Sequence, residues 1–161
     1  MRRPRWANER VTATEDPGRP APGYSSEDIE RIGRGLVDRS LPKPEWTHAA
    51  HFAAAFWLLR QPGLDATVAM PGLIRAYNES TGVANTDSGG YHETITQASL
   101  RVAKSHLAPR VGAPLGVVFA EFWATPYSRS DWLLAYWSRD VLFSVAARRG
   151  WVPPDRAPLP F

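Results

Sequence analysis

The sequence predicts an all-α fold, a compact single-domain bundle of five or six helices behind a disordered N-terminal arm. Three observations predict it. From Ser25 onward apolar residues recur at intervals of three and four, and no segment sustains a period of two. Ser, Thr or Asp stands at the start of most of these segments, and Pro or Gly at the end. The length of 161 residues, with 43% hydrophobic and 22% charged residues, suits one domain around one core.

Residues 1–23 read as a flexible arm, and residues 24–161 as the helical domain with an extended C-terminal tail. The arm is rich in Arg, Pro and Gly and almost without periodic apolar content, so it buries too little surface to offset its ordering entropy. Trp6 is the one residue there with the means to dock. The first helix starts at a Ser25 or Ser26 cap, carries Glu27, Asp28 and Glu30 in its first turn and shows a stripe of Ile29, Ile32, Leu36 and Val37. Leu41-Pro42-Lys43-Pro44 stops it. Thr47 caps the second, which runs to about Arg60 and stops before Pro62-Gly63. On it Phe52, Phe56 and Leu59 form one stripe, and His48, His51, Ala55 and Leu58 an adjacent one, so the histidine pair should face inward.

Asp65 opens a third helix to about Ser80, with Pro71 as a kink or a second start. The stretch from Gly82 to Gly90 is loop chemistry throughout. A fourth helix follows from about Tyr91 to Leu107, and a short, deeply buried one from Leu115 to Ala124 between Pro114 and Pro126. Ser130 or Asp131 caps a last helix, Trp132 to Arg149, which Gly150 stops. Prolines 153, 154, 158 and 160 keep the tail extended over the body.

The formal charge of +3 and the pI near 9.6 invite nucleic acid, but position argues against it. Five arginines lie in the arm, and the rest of the chain has no basic cluster denser than Arg148-Arg149, whereas a nucleic-acid domain carries its basic stripe in the folded part. The skew to 17 Arg and 2 Lys fits a GC-rich genome. The absence of cysteine excludes disulfides and thiolate ligands, so any metal must be held by nitrogen and oxygen. No apolar run approaches the roughly 18 residues that span a bilayer, and the charged amino terminus lacks a signal-peptide core. The expectation is a cytoplasmic, bacterial-type protein without nucleic-acid or membrane partners.

Candidate chemistry gathers at two helix openings. His48 and His51 lie about 60° apart around one helix, so both rings can reach one point, and neutral imidazole is the commonest ligand for transition metals. His92 opens another helix after a glycine-rich loop, with Glu93 beside it. The expected metal ligands are therefore His48, His51 and His92; a solvated or hydrogen-bonded set of histidines is the plainer alternative. Glu93 suits a general base, a support for His92 or simple helix-end electrostatics. Glu121 stands among Val117, Val118, Phe119, Phe122 and Trp123, so it is expected to be buried and either paired with Arg139, Arg148 or Arg75 or bound to the metal. Glu93 and Glu121 are thus the candidate catalytic carboxylates. His106 falls about 21 Å along the helix from His92 and reads as a surface residue.

Tyr77, Asn78, Asn85 and Tyr91 flank the glycine loop with groups able to orient a polar substrate, beside their commoner turn and capping roles. The aromatic set Trp123, Tyr127, Trp132, Tyr136 and Trp137 reads as core, part of which can line an apolar pocket.

The run Trp46-Thr47-His48-Ala49-Ala50-His51, the pairs Tyr77-Asn78 and Asn85-Thr86, and Gly90-Tyr91-His92-Glu93-Thr94-Ile95-Thr96 resemble an uncharacterised group of small bacterial proteins with W-T-H-x-x-H and G-Y-H-E-T-x-T motifs. Leu142-Phe143-Ser144 and Trp151-Val152 extend the resemblance, which spans roughly residues 28–160 and brings no known reaction. In general design the chain also resembles helical metal enzymes such as the DinB-like proteins.

These observations predict a metal-dependent enzyme with zinc, iron(II) or manganese as cofactor, acting on a small-molecule substrate by hydrolytic or acid–base chemistry. An iron-dependent oxidoreductase is one alternative, and a non-enzymatic helical ligand- or partner-binding protein the other.

Overall fold

The computed structural model describes residues 22–161, and every long element among them is a helix. The order is α1 (Ser26–Asp38), α2 (His48–Leu59), α3 (Ala66–Ser80), α4 (Glu93–Leu107), α5 (Leu115–Trp123), α6 (Arg139–Leu142) and α7 (Val145–Arg149). Among the described residues there is no strand, only an isolated bridge between Thr86 and Gly89. The expected arm, Trp6 included, lies outside the described residues except for its last two positions.

Helix α2 is central because its composition leaves it no polar side beyond the first turn. Ala49, Ala50, Phe52, Ala53, Ala54, Ala55, Phe56 and Leu58 are all buried, and a helix apolar around most of its circumference must be enclosed. It packs against α1, α3, α4 and α5. Thr47 caps it, its side chain accepting from the Ala50 amide at 3.2 Å.

Helix α1 begins at Ser25 with a reciprocal cap: Ser25 Oγ accepts from the Asp28 amide, and Asp28 returns the bond to the Ser25 amide. It buries Ile29, Ile32 and Leu36, while Val37 is exposed. Gly33 lies directly under the Trp57 indole, where a Cβ would collide, so α1 and α2 approach closely. In α3 the Asp65 cap holds as expected, and the helix continues through Pro71. A proline there removes the amide that would bond the Thr67 carbonyl. Gln97 of α4 donates to that carbonyl at 3.0 Å instead, which ties α3 to α4.

Two expectations fail in the last third. α5 is amphipathic, not deeply buried: Val118, Phe119 and Phe122 face the core while Val117, Ala120 and Glu121 face out. The predicted helix from Trp132 to Arg149 is broken into a 3-10 turn at Trp132–Ala135, then α6 and α7. Ser138 and Ser144 cause the breaks, since their hydroxyls accept from the Val141 and Ala147 amides and cap new helices. The tail does run extended over the body. Trp137 Nε1 donates to the Val152 carbonyl at 3.0 Å, Asp155 accepts from the Ser138 amide at 2.7 Å, and Phe161 packs edge-on against Tyr127.

Candidate functional site

A cavity of about 280 Å³ opens between α2, α3, α4 and the segment 130–143. Its buried wall is apolar, built from Phe52 and Ala55 of α2, Met70 and Ile74 of α3, Leu100 of α4, and Trp132 and Leu142 of the returning segment. Its polar edge carries His48, His51, Thr96, Ser99, Ser130, Asp131 and Arg139. Small ligand pockets elsewhere begin near ~300 Å³, so the space suits a small guest.

Both histidines of the second helix reach this cavity, because two turns of α2 present positions 48, 51 and 55 along one stripe. His48 is half-buried between the Phe52 and Trp123 rings, and its Nε2 is buried without a hydrogen-bond partner. Burial holds its pKa below the ordinary imidazole value, against the opposing pull of the nearby Ser128 and Tyr127 carbonyls. His51 is open to solvent at the cavity mouth yet crowded by protein, with the Trp46 ring 3.9 Å away between centroids. That crowding, and then the neighbouring His48, lowers its pKa too. Both are neutral imidazoles at pH 7, and the ring of His51 makes no hydrogen bond among the described residues.

His92 is elsewhere and occupied. It is the N-cap of α4: Nδ1 accepts from the Ile95 amide at 3.3 Å, and Nε2 donates to the Leu142 carbonyl at 2.8 Å. Burial pushes its pKa down to about 4, with the Arg148 guanidinium adding to the shift. With both nitrogens engaged, the trio His48, His51 and His92 is not assembled as a ligand set, and among the described residues no three His, Asp or Glu side chains converge on one point. The pair His48 and His51 remains, half of a four-coordinate set.

The expected carboxylates lie outside the cavity. Glu93 accepts from Tyr91 Oη at 2.6 Å and from Gln97 Nε2 at 3.0 Å, which fills both of its oxygens. Glu121 corrects the sequence reading: it is exposed, and it pairs with Arg110 at 2.6 Å instead of with Arg139, Arg148 or Arg75. Its neighbours in sequence are apolar, but α5 shows one face to water and Glu121 lies on it. His106 corrects it in the opposite sense. Its ring packs edge-on against Phe56 and Phe122, and its Nε2 is buried without a partner.

The four residues expected to orient a substrate bind the fold to itself. Tyr77 is fully buried and donates to the Leu41 carbonyl at 2.9 Å. Asn85 Oδ1 accepts from Asn78 Nδ2 and from the Tyr91 amide, both at 3.0 Å, and so closes the glycine loop. Gly90 is needed there: at φ 74° it lies where a Cβ would strike the Ala84 carbonyl. Tyr91 stacks under Arg75, and burial followed by its bond to Glu93 raises its pKa far above the ordinary phenol value. None of Tyr77, Asn78, Asn85 and Tyr91 lines the cavity.

Sequence reasoning missed the cavity's other polar groups. Thr96 and Ser99 left a trace, being small polar residues one turn apart on an otherwise amphipathic helix. Asp131 and Arg139 left none, because they reach the cavity only through the fold-back of residues 130–143. Asp131 is held by Arg129 through two bonds of 3.0 and 3.1 Å, which keep its carboxyl below the usual range.

No membrane-length apolar helix occurs among the described residues. In comparison with known proteins, no family model, no curated protein and no solved structure matches this chain.

Proposed function

We propose that the protein binds a small, largely apolar molecule in the cavity between α2, α3, α4 and residues 130–143, with His48 and His51 as the groups that meet its polar part. One observation carries this reading: the histidine pair that stands out in the sequence lines a cavity whose buried wall is otherwise hydrocarbon. Neutral imidazoles there can accept or donate a hydrogen bond to a guest and, in an enzyme, take up a proton. The ligand-binding reading thus moves ahead of the metal-enzyme reading.

A second reading keeps the metal, because two neutral imidazoles one turn apart share the cavity. A divalent ion there would supply activation of water or polarisation of a carbonyl, for hydrolytic chemistry, or oxidation if the ion were iron.

One titration series tests both. Imidazole nitrogen NMR of the full chain is followed while small aromatic and branched aliphatic molecules, and separately zinc, iron(II) and manganese, are added. The organic guests are expected to shift His48 and His51 saturably and leave His92 unmoved. Ser99→Phe, which fills the cavity from α4, should abolish those shifts without lowering the melting temperature. If no guest moves either ring, or Ser99→Phe binds as the parent does, the ligand-binding reading fails. The metal reading requires a stoichiometric ion that is lost in both His48→Ala and His51→Ala.

A further inference from the structure

The cavity combines a hydrocarbon wall with an unbalanced charge at its mouth. Four of its lining residues are exposed, His51, Ser130, Asp131 and Arg139, and they mark the rim. The acid among them is already neutralised, since both Asp131 oxygens are bonded to Arg129. Arg139 acts on Asp131 only through space, behind the two bonds that Arg129 already makes to it. Its guanidinium forms no hydrogen bond or ion pair among the described residues, although its neighbours in sequence, Ser138 and Asp140, include a carboxylate.

An arginine presents a planar fork of donors that matches a carboxylate with two parallel bonds. A guest that buries hydrocarbon in the cavity and leaves an anion at the rim would satisfy both features together. The space of about 280 Å³ is roughly that of nine waters at ~30 Å³ each, enough for one ring and a short chain.

Resting on the proposed cavity, we propose that its ligand is a small apolar carboxylic acid, bound as the carboxylate by Arg139 with its hydrocarbon end against Leu100, Trp132 and Leu142. The imidazoles of His48 and His51 then flank the guest and contribute neutral hydrogen bonds.

The test uses 3-phenylpropanoate and its uncharged isostere 3-phenylpropanamide, each titrated calorimetrically into the full-length parent, Arg139→Gln and Arg139→Lys. The parent should bind the carboxylate about tenfold or more tighter than the amide, a preference expected of a charge-assisted pair. Arg139→Gln should erase that preference by weakening the acid far more than the amide, and Arg139→Lys should restore part of it. Arg139 is exposed and the Ser138 cap does not depend on its side chain, so these variants should melt with the parent. Equal affinity of the parent for acid and amide overturns the carboxylate assignment while the cavity reading stands. So does an acid preference that survives in Arg139→Gln. Binding of neither probe up to about 10 mM also overturns it, since a Kd above that value is negligible affinity, and the imidazole titration then decides the cavity reading by itself.

Discussion

His92 makes two bonds that only one protonation state allows. Nδ1 accepts from Ile95 and Nε2 donates to Leu142, so the ring must be the neutral Nε2–H tautomer, and protonation of Nδ1 would destroy the cap. Its pKa is about 4 in the folded chain against 6.5 for the free group. The sign follows. The stabilising contribution is complete above about pH 6.5, because both states are then neutral, and it is lost as pH falls toward 4, where the unfolded chain takes up the proton first. The depression corresponds to about 3 kcal/mol over that window. Burial lowers the pKa of His48, His51 and His106 as well, so the parent's whole acid loss exceeds this one group's share. His92→Asn keeps a side chain that caps well and removes the titration. Urea unfolding between pH 7 and 4 should therefore fall less steeply in the variant; parallel curves would show that His92 does not titrate with folding.

At the scale of the element, the contact between α1 and α2 rests on what Gly33 lacks. Within a helix, glycine costs about 1 kcal/mol relative to alanine, so an alanine should stabilise wherever there is room. At Gly33 there is none, since a Cβ would meet the Trp57 ring. Gly33→Ala is expected to destabilise by about 1–3 kcal/mol through overpacking. Gly72 supplies the contrast within α3, where it is exposed and a Cβ would meet nothing within 4 Å. Gly72→Ala should raise stability by about 0.5–1 kcal/mol. Chemical denaturation of both variants checks the pair, and a gain at both positions would mean that the indole moves aside at little cost. The same scale explains α3 and α4: the break that Pro71 makes in one helix is repaired by a side chain of the other.

The cavity wall from 130 to 143 is held by the tail more than by its one short helix, α6. α6 has 4 residues and α7, just beyond the wall, has 5, each too short to persist alone. The tail supplies the missing order through Val152 to Trp137, Asp155 to Ser138, and Arg156 to the Leu134 carbonyl. Trp151 lies between Trp137 and the Arg101 guanidinium, which sits 3.7 Å over its ring. Truncation after Gly150 should thus free residues 130–143 while α1 and α2 stay folded. Amide hydrogen exchange measures this directly: loss of protection confined to that segment is expected, and unchanged protection there would show that the wall stands without the tail. The truncated chain should also lose the imidazole shifts caused by small guests.

The helical class, the starts of α1, α2 and α3, the end of α2 before Pro62 and the extended tail are all legible in the amino-acid order, because caps, prolines and apolar spacing act within a few residues of chain. The sequence reading expected His48 and His51 to face inward along an apolar stripe; His48 is half-buried, but His51 stands exposed at the cavity mouth, because the first turn of a helix lies at the edge of the core. It misread Glu121 because hydrophobic neighbours in sequence are not neighbours in space, and the helix carried that carboxylate to the wet side, within reach of Arg110. It misread His92 as a free ligand because the Leu142 carbonyl that occupies Nε2 lies 50 residues away. Which polar groups face the cavity depends on long-range packing, for Asp131 and Arg139 arrive there by a fold-back that rests on contacts with the tail, and no local pattern encodes a contact between segments so far apart along the chain.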